Sequence, residues 1–181
     1  MLVLPWLLFG WELACAGYEK TERRRLFRKA LANCRRSGKP MLVVGEPDGE
    51  YPCPPTGGAL VDLRQTSVCR NHVRASVESL PMFRDKQFGA AFCSHVLEHV
   101  NQPQRALAEL RRVADHVWIS YPRPWRIATY LIPGHTWLIV PNGRGGLNFH
   151  RLRRRGNRPT RYGFAGLPDS RLARWIAGRA S

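Results

Sequence analysis

The stretch Asp85–Val100, DKQFGAAFCSHVLEHV, constrains the fold of this chain most. A polar turn, Asp85-Lys86-Gln87, leads into the apolar run Phe88–Cys93. A short apolar run bounded by turn residues suits a buried strand. Ser94 breaks the run, and a helical pattern follows with His95, Glu98 and His99 at its head. The order strand, strand-end loop, helix belongs to an open α/β sheet. In such sheets ligands collect at the carboxyl ends of the strands.

Further strands are predicted over Met41–Gly45, Ala59–Leu63, Val117–Tyr121 and Thr136–Val140, with a weak one around His72–Val77. The clearest helix is Pro103–Ala114. Pro103 opens it, and Ala106, Leu107, Leu110 and Val113 share one side. Ile127–Ile132 has room for a helical turn or two. Glu46–Gly58, EPDGEYPCPPTGG, is too rich in Pro and Gly for a helix. Strands alternating with helices predict a parallel sheet with right-handed crossovers.

The two ends differ from this middle. Leu2–Tyr18 carries Glu12 as its single charge. As a helix it would run about 26 Å, slightly short of the ~30 Å hydrocarbon core of a bilayer. Lys20, Arg23, Arg24, Arg25, Arg28 and Lys29 follow at once. By the positive-inside rule this predicts a membrane anchor with the main domain on the cytoplasmic side. A buried or interfacial helix, which Glu12 favours, and a cleaved signal peptide at Ala14-Cys15-Ala16 stay open beside it. Glu19–Ser37 reads as a second, basic helix with Leu26, Phe27, Ala30, Leu31 and Cys34 on one face. From Arg144 onward the chain is rich in Arg and holds one acid, Asp169. Arg151–Arg158 reads as a loosely ordered basic arm, and Leu172–Ile176 as a final helical turn. The expected organisation is therefore an apolar helix over 1–18, a basic helix over 19–40, an α/β domain over 41–143 and an Arg-rich arm over 144–181.

At 181 residues the chain suits one domain with a real core. Its 29 Lys+Arg against 13 Asp+Glu, formally +16, favour anionic partners: an anionic membrane surface or nucleic acid. Five scattered cysteines with no CxxC pair predict a reduced chain without a disulfide framework or zinc knuckle. The six Trp suit core or membrane-interface positions better than base stacking.

Three runs together resemble a known family: Glu78-Ser79-Leu80-Pro81, Asp85-Lys86-Gln87-Phe88, and Phe92-Cys93-Ser94-His95-Val96-Leu97-Glu98-His99-Val100. They are similar to the centre of class I S-adenosylmethionine-dependent methyltransferases, more narrowly the type 11 methyltransferase domain. The likeness continues through Pro103, Ala106, Leu107, Glu109, Leu110, Arg111 and Arg112, and covers roughly Ser76–Ser120. The resemblance implies an α/β fold, a compact Rossmann-like methyltransferase sheet with helices on both faces, to which the apolar N-terminal helix is added. It implies S-adenosylmethionine as cofactor and methyl transfer as activity. The acceptor stays open among small molecules, lipid, protein and RNA.

The resemblance also implies cofactor contacts. Gly45 stands in the loop that usually holds the methionine end, although Pro47 has no N–H to offer there. Asp62 ends the second strand, where an acid takes the ribose hydroxyls. Ser76 and Val77 follow the third strand, at the adenine side, with Ser76 where an Asp is usual. Ser94 and His95 line the mouth after the fourth strand. No catalytic residue is singled out, because transfer from a sulfonium needs placement more than acid-base groups. The alternative is a catalytically inactive relative that binds nucleic acid or an anionic membrane through its Arg-rich ends.

His95-Val96-Leu97-Glu98-His99 also spells HxxEH, a zinc-peptidase spacing. Two histidines at i and i+4 on a helix could share an ion, but a third ligand is required and no Glu follows Glu109. No metal is therefore expected. The plainer expectation is that Glu98 favours a helix N-terminus and His99 packs or faces solvent.

Overall fold

A computed structural model describes residues 3–47, 51–64 and 69–152. Five parallel strands form the sheet: β1 (Met41–Val44), β2 (Ala59–Asp62), β3 (His72–Arg74), β4 (Phe88–Ser94) and β5 (Ala114–Ser120). Their order is β3-β2-β1-β4-β5. The chain reverses its direction of winding between β1 and β4, so a crevice opens at the carboxyl ends of those two strands. β1 and β4 are buried along their whole length, as a central pair covered on both faces must be.

A single helix, α1 (Val3–Ser37), precedes the sheet. Two separate helices are expected from the change of composition at Tyr18. No proline stands there, the helix tolerates Gly17, and it runs unbroken from Val3 to Ser37. The carboxyl half of α1 lies on one face of the sheet, where Phe27, Ala30 and Cys34 meet Met41, Val43, Leu60, Ala90 and Phe92. Gly89 permits this approach, since a Cβ there would meet Ser37 Oγ and stand 3.0 Å from Cys34 Cα. α2 (Pro103–Val113) covers the opposite face with Ala106, Leu110 and Val113, against Leu42, Val44, Ala91 and Cys93. The α/β fold with helices on both faces is as expected.

The connection from β1 to β2 contains no helix among its described residues. Pro47, Pro52, Pro54 and Pro55 lack the amides a helix needs. Tyr51 does part of a helix's work. It stacks on Phe27 at 5.4 Å and meets Phe92 edge-on at 4.9 Å, and its hydroxyl donates to the carbonyls of Gly45 and Glu46. Cys53, from the same connection, is bonded to Cys69 beyond β2. This corrects the expectation of a chain without disulfides. The folded connection sets the two Cα atoms 5.6 Å apart, a proximity that spacing in sequence does not reveal.

After β5 come a short helix α3 (Ile127–Leu131) and a hairpin of β6 (Trp137–Pro141) with β7 (Leu147–Arg151). β7 lies within the Arg-rich arm expected over 144–181 and ends at Arg151, where its loosely ordered part is expected to begin. The remaining arm and the turn at Leu172–Ile176 lie outside the described residues. The segment before α3 is held to α1 by charge. Arg126 pairs with Glu12 and Glu19, Arg123 pairs with Glu22, and Glu12 Oε1 accepts the Ile127 amide at 2.6 Å. The single acid of the expected anchor is thus part of the fold. No helix among the described residues is long and apolar enough to cross a membrane, so the spanning form of the anchor finds no support.

The disulfide closes a loop with a sequence separation of 16. Closure of that size restricts the unfolded chain by ~3 kcal/mol. Replacing Cys53 and Cys69 together by Ser should lower the free energy of urea unfolding by about 2–4 kcal/mol. Reductant should lower the wild type to the same value. An unchanged urea midpoint would show that the bond contributes nothing.

Candidate functional site

All six residues expected at the cofactor lie at the carboxyl ends of β1 to β4 or in the loops that leave them. Gly45 follows β1 with a φ of 96°, a left-handed conformation natural to glycine. Its amide donates to Val61 O at 3.0 Å. A Cβ on Gly45 would stand 2.5 Å from Ser94 O and 2.9 Å from Val96 Cγ2. The ends of β1 and β4 therefore touch here, and only glycine fits between them.

Asp62 ends β2, half-buried, and its Oδ1 accepts the Arg64 amide at 2.7 Å. Ser76 and Val77 follow β3. Ser76 Oγ accepts the Glu78 amide at 3.2 Å, and Val77 is buried. Ser94 closes β4, buried, and His95 comes next with a φ of 52°. Left-handed backbone is uncommon outside glycine, and His is among the residues that tolerate it best. The His95 amide donates to Ser120 O at 2.9 Å, which ties the turn to the end of β5.

The loop that carries Ser76 and Val77 is anchored from α2. Glu109 Oε2 accepts the Leu80 amide at 2.8 Å, and Glu78 Oε1 accepts the Gln102 amide at 2.6 Å. Arg112 donates to Leu80 O, Phe83 O, Asp85 and Glu109. A planar fork suits this many acceptors, which a lysine could not reach together. Sequence reading placed Glu109 and Arg112 within the resemblance but gave them no role.

The expected helix at His95–Val100 is not there. His99 N donates to Val96 O at 3.0 Å, one turn forms, and α2 waits until Pro103. The groups a helix would use are already engaged. Glu98 O accepts from Thr136 N, Trp137 N and Thr136 Oγ1, while Val100 O accepts from Trp137 Nε1.

This turn gathers a cluster. Glu98 is 1% exposed, with His95 Nδ1 at 3.3 Å and His99 Nε2 at 3.9 Å from its Oε1. His135, buried, joins from the segment after α3, and its ring centroid lies 4.9 Å from that of His99. Burial pushes the Glu98 carboxyl upward, but His95 beside it and the charges of His99 and His135 outweigh this and hold it below the usual range. Burial pushes the His135 imidazole down, toward its neutral form. His135 was missed from sequence; only its type, not its spacing, could have signalled it. Elsewhere, a groove of about 410 Å³ beside Arg111, His116 and Gly145 touches none of the six residues.

Residues 58–116 match the family model of a methyltransferase domain. The matched segment runs from β2 to β5 and includes Asp62, Ser76, Val77, Ser94 and His95. Over this segment the chain is similar to that family, whose members generally use S-adenosylmethionine. No curated protein matches the chain.

The Glu109–Arg112 contact gives a test by pH. The hydrogen bond from Arg112 holds the Glu109 carboxyl below its ordinary range, against a smaller opposing effect of burial. A lowered carboxyl adds stability that is complete above about pH 4.3, its value in the unfolded chain. That stability drains away as pH falls through the lowered folded value. Glu109→Gln should therefore lose stability at neutral pH and show a shallower decline on acidification. Urea midpoints at pH ~7 and ~3 would measure this, and parallel declines in both proteins would refute it.

Proposed function

We propose, from the match of residues 58–116 to the methyltransferase-domain family, that this chain binds S-adenosylmethionine at the β1–β4 crevice and transfers its methyl group. The observation that carries this is the convergence of Asp62, Ser76, Val77, Ser94 and His95 at one sheet edge. The adenosine side fits the residues present. Asp62 is half-exposed at the end of β2 and has carboxylate oxygens suited to paired hydroxyls. Ser76 and buried Val77 offer a hydroxyl and an apolar wall for the base. Ser94 and His95 would face the methionine end. The cofactor supplies an electrophilic methyl, and the protein's part is placement.

Calorimetry with S-adenosylmethionine tests the proposal. Asp62→Ala should weaken binding by roughly ten- to a hundredfold, the loss of one or two hydrogen bonds to a charged acceptor. No binding at millimolar cofactor to a folded sample would refute the cofactor, and an unchanged Asp62→Ala affinity would refute the ribose contact.

We further propose that the protein works at an anionic membrane surface. Leu4, Trp6, Leu7, Leu8, Phe9, Trp11 and Leu13 are all exposed on α1, Trp6 by 72%. Trp11 Nε1 donates to Trp125 O at 3.4 Å, which brings exposed Trp125, Ile127, Tyr130 and Leu131 alongside. An apolar surface of this kind with Trp and Tyr in it, continued by the exposed Arg25 and Arg28 of the same helix, suits the headgroup boundary of a bilayer. Replacing Trp6 and Leu7 by Ser removes two exposed side chains without touching the ion pairs to Arg126. Sedimentation with phosphatidylglycerol vesicles should fall at least about tenfold in the variant. Equal sedimentation of both proteins, or equal binding to neutral vesicles, would overturn this.

One observation favours the second reading, an inactive relative. Among its described residues the β1–β2 connection lacks the helix whose N-terminus ordinarily holds the carboxylate of the methionine, and the Gly45 amide is spent on Val61. On that reading the crevice is vestigial, and the basic surface docks to lipid or nucleic acid. The calorimetry separates the two.

A further inference from the structure

The cluster at Glu98 holds more lone pairs than donors to meet them. Glu98 is buried, and neither of its carboxylate oxygens receives a well-aligned hydrogen bond; the nearest candidate donor, His95 Nδ1, stands 3.3 Å from Oε1. His99 Nδ1 lies 2.8 Å from Gly134 O, and His135 Nδ1 lies 2.9 Å from Thr129 O. A carbonyl only accepts, so each Nδ1 carries the proton, and each Nε2 is left with a bare lone pair. One ligand atom from each of Glu98, His99 and His135 lies within 4.8 Å of the others. Three lone-pair donors thus converge, two of them on the buried residues Glu98 and His135, and buried carboxylate oxygens without partners are rare and costly.

Protonating one imidazole would give a partner to one oxygen and leave the other groups bare. A cation satisfies all three together. We propose that Glu98, His99 and His135 bind a divalent transition-metal ion of the zinc class, through one carboxylate oxygen and the two Nε2 atoms.

The chemistry favours this class of ion. Two imidazoles and a carboxylate suit zinc and its neighbours, whereas magnesium and calcium prefer oxygen alone. Bond lengths of about 2.1 Å set tetrahedral ligands ~3.4 Å apart. The 3.9 Å between Glu98 Oε1 and His99 Nε2 is near that, and small side-chain turns close the rest. The bonds from each Nδ1 to a carbonyl fix tautomer and ring orientation, as the outer partners of metal-bound histidines do. The two segments are also held together by backbone: Glu98 O accepts from Thr136 N at 2.8 Å and Trp137 N at 3.2 Å. The site is therefore formed in advance. Three protein ligands leave a fourth position open, the pattern of a catalytic rather than a structural ion. His99 is the exposed member, so the cluster reaches solvent on its side. The inference stands on these contacts alone and does not depend on methyl transfer.

The full-length protein, stripped with a chelator and with its disulfide intact, should bind Zn²⁺ one-to-one in calorimetry. Glu98→Gln keeps the side chain's shape and removes its charge; His135→Ala removes a ligand. Each should weaken Zn²⁺ at least about a hundredfold, beyond the usual loss for an outer partner. Circular dichroism shows whether each variant is folded, and an unfolded His135→Ala leaves Glu98→Gln to decide. Co²⁺ in place of Zn²⁺ should give a visible spectrum without a thiolate charge-transfer band. Absence of saturable binding to the folded wild type, wild-type affinity in Glu98→Gln, or a thiolate band would each overturn the site.

Discussion

The structure depends on α1 lying across β4 and β5. A parallel sheet must be covered on both faces, because its strands are apolar on both. Here the described residues of the β1–β2 connection provide no helix, so one face would stand open. The cover comes instead from the carboxyl half of α1, with Phe27 edge-on to Phe92 at 5.4 Å and Ala30 fully buried. Full burial of a residue such as Phe27 or Phe92 contributes ~1.5–3 kcal/mol. Gly89 sets the distance of approach, and Tyr51 closes the gap that remains between α1 and the sheet. The ion pairs of Glu12, Glu19 and Glu22 with Arg123 and Arg126 extend the same contact beyond the sheet. Glu19 is buried at this contact, so its loss would leave arginines half-desolvated and unpaired, a larger cost than the pair's own gain.

Much of this was legible in the sequence. Met41–Val44 and Phe88–Cys93 are continuous apolar runs, the pattern a doubly covered strand imposes, and both lie where expected. β5 begins at Ala114, earlier than Val117, because Asp115 and His116 are exposed and hide the strand from a search for apolar runs. The six residues expected at the cofactor gather at one end of the sheet because parallel strands place all their carboxyl ends on one side. Topology alone makes that part readable. The disulfide and His135 were not readable, since both depend on where loops fold back. Nothing local to Cys53 or His135 records its partner.

The acids of the chain show the same limit. Against a formal charge of +16, single carboxylates look like exceptions on a basic surface. In the structure several are structural points. Glu12 caps α3, Glu19 and Glu22 hold Arg126 and Arg123, and Glu78 and Glu109 fix the loop after β3. Composition therefore describes the surface the protein shows to a partner, and the placement of the few acids describes how it is held together.

The missing helix at His95–Val100 and the cluster at Glu98 are one event. A helix continuing from His95 would spend Glu98 O on the amide of residue 102 and leave Thr136 and Trp137 without their acceptor. The segment after α3 would then have no reason to dock, and His135 would not reach Glu98. Instead Gln102 N goes to Glu78, Glu98 O goes to Thr136 and Trp137, and the turn is released from helical geometry. The left-handed backbone at His95 begins this path, and its bond to Ser120 O fixes it against β5. The same few hydrogen bonds thus place Ser94 and His95 at the crevice and turn Glu98 inward toward His99 and His135. A change in the β6–β7 hairpin that weakened the grip of Thr136 or Trp137 would disturb the crevice and the cluster together, although it would touch neither.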